Sequence, residues 1–226
     1  RGASMKYSKS FLLSAALLGA SISPVLAGGS APAAAYNWSG AYIGLDAGGS
    51  FGNYTQFDDN GRGVKIDVSR FTGGVYTGYN WQISNFVAGL EADISNGPKG
   101  ITRQGTGGPY WHCGTGDCDA DITYYGTVRA RFGYAINRTL IYGTGGFAYG
   151  RSSGGIFDSD QQGHGMNTGW TLGGGAEYAF TQHIVARAEY LHVDLGDIKF
   201  GEGYGGSRFR GHGSFDTVRV GIAYKF

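Results

Sequence analysis

Only four prolines and two cysteines occur in 226 residues, and charged side chains make up 15% of the chain. Two cysteines exclude a small disulfide-dense scaffold, and four prolines exclude a polyproline spacer. The charge content lies well below the roughly 25% usual for soluble domains. No excess of one sign exists either, with 18 Lys and Arg against 17 Asp and Glu. A nucleic-acid partner would call for a basic stripe, so none is expected. Long apolar runs are absent as well, and a mean hydropathy of −0.21 excludes a bundle of membrane helices. What the chain does have is glycine, 44 residues, and aromatics at 15%. The glycines follow no collagen period, and a disordered chain would be poor in aromatics. An all-β protein remains.

The N-terminal stretch reads as an address. Met5 is followed by Lys6 and Lys9, the apolar run Phe11 to Ala20, and Val25-Leu26-Ala27 as a small-x-small cleavage site. Residues 1–27 are therefore expected to be a signal peptide with a short upstream extension, residues 28–37 a periplasmic linker, and residues 38–226 the folded domain. The apolar run is too short and too interrupted by serine to make a good spanning helix.

Beyond the linker, apolar and polar residues alternate with period two. Eight strands are predicted, at 38–53, 70–82, 86–96, 122–135, 139–152, 168–180, 184–196 and 214–226. Each is longer than the five to six residues common in globular sheets, and long enough to cross a bilayer at a tilt. Their connections alternate short and long. Ile83-Ser84-Asn85, Ile136-Asn137-Arg138 and Thr181-Gln182-His183 are the short ones; residues 54–69, 97–121, 153–167 and 197–213 are the long ones. In an up-and-down barrel this places every short turn at one end, the asymmetry of transmembrane barrels.

Alternation alone does not say which face points inward, since a soluble lipid-binding barrel also has eight strands. Parity supplies the answer. One face carries Val218, Val220, Ile222, Tyr224 and Phe226 on the last strand, and Phe86, Ala88, Leu90, Ala92 and Ile94 on the third. The opposite face collects five acids, Asp46, Glu91, Asp93, Glu177 and Glu189. It also collects five bases, Arg129, Arg131, Arg187, Arg219 and Lys225. Ten charges set among glycine and threonine suit a narrow lumen, where ions must pair because desolvation penalises a lone one. The apolar face ends in two aromatic belts, Trp81, Phe86, Tyr134, Phe180 and Phe226 at the short-turn end and Phe51, Phe71, Tyr124, Trp170 and Tyr190 at the other. Such belts mark the two interfaces of a bilayer. The expected fold is an all-β, eight-stranded antiparallel up-and-down transmembrane barrel with short periplasmic turns and long extracellular loops.

Several segments together resemble a known family. They are Asn37-Trp38-Ser39-Gly40-Ala41-Tyr42-Ile43-Gly44, Gly78-Tyr79-Asn80-Trp81-Gln82, Tyr125-Gly126-Thr127-Val128-Arg129-Ala130-Arg131, Tyr142-Gly143-Thr144-Gly145-Gly146, Gly169-Trp170-Thr171-Leu172-Gly173-Gly174-Gly175, Glu189-Tyr190-Leu191 and the terminal Val218 to Phe226. The chain is similar to the small outer-membrane β-barrel proteins of alphaproteobacteria, porin-like surface antigens. The resemblance implies an outer-membrane location and a structural role in envelope integrity and surface contact. It implies as partners outer-membrane lipid and lipopolysaccharide, the barrel-assembly machinery, and peptidoglycan-linked or host surface proteins. Phe226 resembles the terminal assembly signal. Small-solute diffusion through the lumen and haem binding at the surface are the alternatives it leaves open. The cysteine pair departs from the family pattern.

Candidate chemistry outside the lumen is sparse. Cys113 and Cys118 lie in the second long loop, facing an oxidising exterior, and are expected to form a disulfide. Asp117, Asp119 and Asp121 have the alternate spacing of a calcium loop but lack its central glycine and distal glutamate, Val128 standing at the twelfth position. His112, His164 and His212 fall in three external loops and are weak haem candidates. His212-Gly213-Ser214, with Glu202 as an orienting acid, is the one arrangement suggestive of a hydrolase, and its spacing is common. Glycines 143–146 lie within a strand, so they form no phosphate-binding loop. The expectation is a non-enzymatic protein without cofactor or metal.

Overall fold

The computed structural model describes residues 36–58, 63–102, 118–156, 162–202 and 208–226. The expected signal peptide, most of the linker and the Cys113–Cys118 bond lie outside the described residues. The strands are β1 (Gly40–Asp58), β2 (Gly63–Ile83), β3 (Phe86–Asn96), β4 (Lys99–Thr102), β5 (Cys118–Ile136), β6 (Thr139–Ile156), β7 (Gln162–Ala179), β8 (Ile184–Glu202) and β9 (Arg208–Lys225). Every pairing among them is antiparallel, β1 pairing with β9 and β3 with β5, so the sheet closes on itself. β4 continues the line of β3 along β5 after Gly97-Pro98, where the Ile122 N–H reaches the Pro98 carbonyl at 3.0 Å. The wall therefore has eight positions, and closure leaves no exposed sheet edge within the bilayer.

Two-residue turns join β2 to β3 and β5 to β6. Their first residues, Ser84 and Asn137, take φ of 57° and 55°, the left-handed conformation that tight hairpins require. At the other end the strands run past the expected limits. β2 begins at 63 rather than 70, β5 at 118 rather than 122, β8 ends at 202 rather than 196 and β9 begins at 208 rather than 214. The residues read as long loops thus belong in large part to a sheet that projects beyond the bilayer. A bulge between Asp194 and Asp197 bends β8 at that level, with Gly196 at φ +63° and its N–H on the Asp194 carboxylate at 2.7 Å.

Burial alternates along most of each strand, and the apolar face is the outer one. Leu45, Leu90, Phe132, Leu172 and Val220 are all more than half exposed, while Asp46, Glu91, Arg131, Thr171 and Arg219 are buried. Of the two aromatic belts only Tyr124 is half-buried, its hydroxyl donating to the Met166 sulfur at 3.4 Å. The inward face is not uniformly polar. Tyr36, Trp38, Val87, Leu140 and Val185 form an apolar layer at the short-turn end; Ile122, Tyr125, Leu191, Val193, Leu195 and Phe215 form another toward the far end. A third cluster, Tyr54, Val64, Ile66, Val68 and Ala120, fills the projecting part of the sheet. The buried charged side chains among the described residues lie between the first two of these layers.

Candidate functional site

Nine of the ten expected lumen charges meet in that middle layer. Glu91 on β3 is the hub, with the guanidinium of Arg129 on one oxygen, Arg131 at 3.0 Å and Arg187 at 2.9 Å. Glu189 on β8 is the second centre, held by Arg219 at 2.7 Å, Arg129 at 3.4 Å and Arg187 at 3.6 Å. Asp93 takes Arg129 at 3.0 Å and Arg219 at 3.4 Å. Asp46 takes Arg187 at 3.0 Å and Arg219 at 3.3 Å, and Glu177 takes Arg131 at 2.6 Å. Each guanidinium bridges two or more carboxylates, which its planar fork allows and a lysine ammonium does less well.

Tyrosines complete the network and were missed in the parity sort. Tyr42 and Tyr142 donate to Glu91 and Glu189, both at 2.8 Å. The Arg187 guanidinium lies 3.3 Å over the Tyr76 ring and that of Arg131 lies 4.0 Å over Tyr142. With Tyr76 on β2 and Tyr142 on β6, every one of the eight wall positions contributes to one hub. The only sequence signal was their place on the glycine- and threonine-rich face.

Lys225, expected in the lumen network, is the exception. It enters no ion pair among the described residues; its ammonium lies 5.3 Å from the Tyr36 ring, at the periplasmic mouth. The reason is height, since Lys225 is the last residue of β9 while the charged layer sits at the level of Arg219 and Gly221. Phe226, the expected assembly signal, is 70% exposed, and its N–H reaches the Ala41 carbonyl at 3.0 Å.

The outer rim holds the remaining candidates. His212 does not engage Ser214; its ring nitrogens face Asp197 at 3.0 Å and Asp194 at 3.5 Å. Ser214 instead lies 3.5 Å from Nε2 of His192, whose Nδ1 faces Asp216 at 2.8 Å. The register sets His192 opposite Asp216 and Asp194 opposite Ser214, which brings together residues that sequence spacing kept apart. Ser214 nevertheless sits mid-strand, paired with Asn53 on its other side, and not on the exposed turn that presents a nucleophile beside oxyanion donors. His164 is exposed on β7, and His112 lies outside the described residues. Asp121 pairs with Lys99, burial pushes the Asp119 carboxyl above its ordinary range, and Asp117 lies outside the described residues. Among the described residues no group of three or more His, Cys, Asp or Glu is placed to hold a metal ion.

The family described as outer membrane protein beta-barrel domain matches residues 20–226. The 31 kDa outer-membrane immunogenic protein of Brucella melitensis is 36% identical, covering 87% of each chain. The 22 kDa outer membrane protein of Rhizobium leguminosarum is 31% identical over 84% of this chain and 79% of its own. Among solved structures, the attachment invasion locus protein of Yersinia pestis in complex with a heparin analogue covers 83% of this chain and 99% of its own, at a TM-score of 0.45 and 15% identity. A lumen of paired charges, a lipid-facing apolar wall, the family match and the Brucella and Rhizobium relatives agree: the chain is an outer-membrane protein and belongs to the outer-membrane β-barrel family.

Proposed function

We propose that the protein serves the outer membrane as a structural barrel and surface antigen, not as an enzyme or an open channel. The observation that carries this reading is the filled lumen, in which a charged hub lies between two apolar layers. An eight-stranded barrel is only wide enough for side chains to fill it, and here they are buried at each level. Work at the surface then falls to the sheet that projects beyond the bilayer. The immunogenic naming of the Brucella relative accords with exposure of that region. Lipid and lipopolysaccharide surround the wall, and Phe226 at the end of β9 is suited to recognition by the assembly machinery. The rim accords with the non-enzymatic reading, since Ser214 lies within β9, paired with Asn53 on one side and Asp194 on the other.

Single-channel recording of the refolded barrel in a planar bilayer is the test. Protein whose folding is verified by heat-modifiable gel mobility should give no steady steps. Reproducible ohmic steps would show that the hub leaves a conducting path, and the small-pore reading would replace this one.

A further inference from the structure

The chain does not enter β1 directly. Gly40 takes φ +133°, a conformation that L side chains rarely adopt, and there the segment before it turns back across the periplasmic mouth. Trp38 is 1% exposed and Tyr36 2% exposed, although both precede the barrel wall. The two rings meet edge to face at 4.8 Å. The Trp38 N–H donates to the side chain of Gln82 at 2.6 Å, and Ser39 accepts from the Gln82 N–H at 2.9 Å. The Tyr36 hydroxyl reaches the Gln182 carbonyl at 3.3 Å, across the mouth in the β7–β8 turn. Lys225 lies against the Tyr36 ring from β9. The segment is thus tied to three separate parts of the rim.

We propose that Tyr36–Trp38 is a built-in plug, and that the periplasmic mouth is a preformed seat for it, closing the lumen hub off from periplasmic water. Trp38 lies over a small cavity of about 10 Å³, lined also by Tyr42, Asn80, Glu177, Val185, Ala223 and Lys225. Tyr42 and Glu177 belong to the hub or donate to it, so this cavity separates the plug from the charged layer. The indole Nε1 and the Asn80 Oδ1 are both buried without a protein partner. The plug is independent of whether the outer sheet acts as an antigen, because it rests on the barrel alone.

Thiol protection tests it. Val185→Cys places a probe in the cavity, in a full-length chain with both native cysteines changed to serine. Behind the intact plug a charged, water-soluble maleimide should label the folded barrel at least tenfold more slowly than after Trp38→Gly. Trp38→Phe, which keeps a ring, should stay slow. Equal rates with and without the Trp38 ring would overturn the plug. Should Trp38→Gly fail to fold, Tyr36→Ala takes its place, and rapid labelling behind the unaltered plug is by itself sufficient to overturn it.

Discussion

Arg129 is wholly buried, and its charge is shared by Glu91, Asp93 and Glu189. Truncating it leaves three buried carboxylates each short of one cation, with Arg131, Arg187 and Arg219 as their remaining partners. Breaking a buried network in this way costs about 3–5 kcal/mol. Arg151 is exposed on β6, and a surface truncation costs within about 0.5 kcal/mol. Urea unfolding of the refolded barrel should therefore lower the midpoint strongly for Arg129→Ala and hardly at all for Arg151→Ala; equal midpoints would remove the hub as a source of stability. Parity made these charges legible, because an acid or arginine at every second position has only one dry face to occupy. It could not make Lys225 legible, since parity gives the face of a residue and not its height. At Ser214 a negative result is expected: a fluorophosphonate should leave it unlabelled, and labelling lost in Ser214→Ala would restore the hydrolase reading.

At the scale of the strand, glycine explains how so many tyrosines fit. Tyr42 stands opposite Gly78 and Tyr76 opposite Gly44 across the β1–β2 ladder, and each ring lies over its glycine. A Cβ on Gly78 would come within 2.4 Å of the Tyr42 hydroxyl, and one on Gly44 within 2.4 Å of the Tyr76 ring. The room that lumen glycines leave is therefore taken up by the neighbouring strand's ring, the same device that rescues glycine in curved sheets. Gly78→Val should lift Tyr42 off the wall and away from Glu91 and Arg131, lowering the unfolding midpoint by more than Gly49→Val, where a Cβ meets nothing. Similar midpoints would mean that the rings adapt freely. Strand centres were readable because lipid demands apolar residues at every second position over the full span. The projecting ends were not. Val64, Ile66 and Val68 alternate too, but there the apolar residues face inward and the outer positions are Lys65, Asp67 and Ser69. The pattern changes sign where lipid gives way to water, and a reading tuned to one solvent takes the other half for loop.

For the whole molecule, the bilayer sets which face is apolar and the mouth sets how well the lumen is closed. The wall makes the first demand measurable: Val220→Arg, near the middle of the β9 lipid face and 62% exposed, should cost about 2–4 kcal/mol in a bilayer. The plug makes the second measurable through pH. Burial, and after it the negative charge of Glu177, pushes the Tyr36 phenol up to about 12. A released phenol ionises near 10, so between those values the seated tyrosine keeps a proton that the released one gives up. The released state binds fewer protons, and raising the pH through this window must favour release. Below pH 10 the seat should be insensitive to pH. Labelling of the Val185→Cys probe should accelerate from pH 10 to pH 12 by more than that of the same cysteine in Trp38→Gly, which carries the gain from thiolate formation without the plug. Lys225 faces the same ring, with Arg138 and Glu177 nearby, and burial lowers the pKa of the Lys225 ammonium. Tyr36→Phe separates them, since it leaves those groups in place and removes the phenol. An acceleration that survives Tyr36→Phe would detach the alkaline opening from this phenol, while one that disappears ties closure of the periplasmic mouth to the protonated hydroxyl of Tyr36.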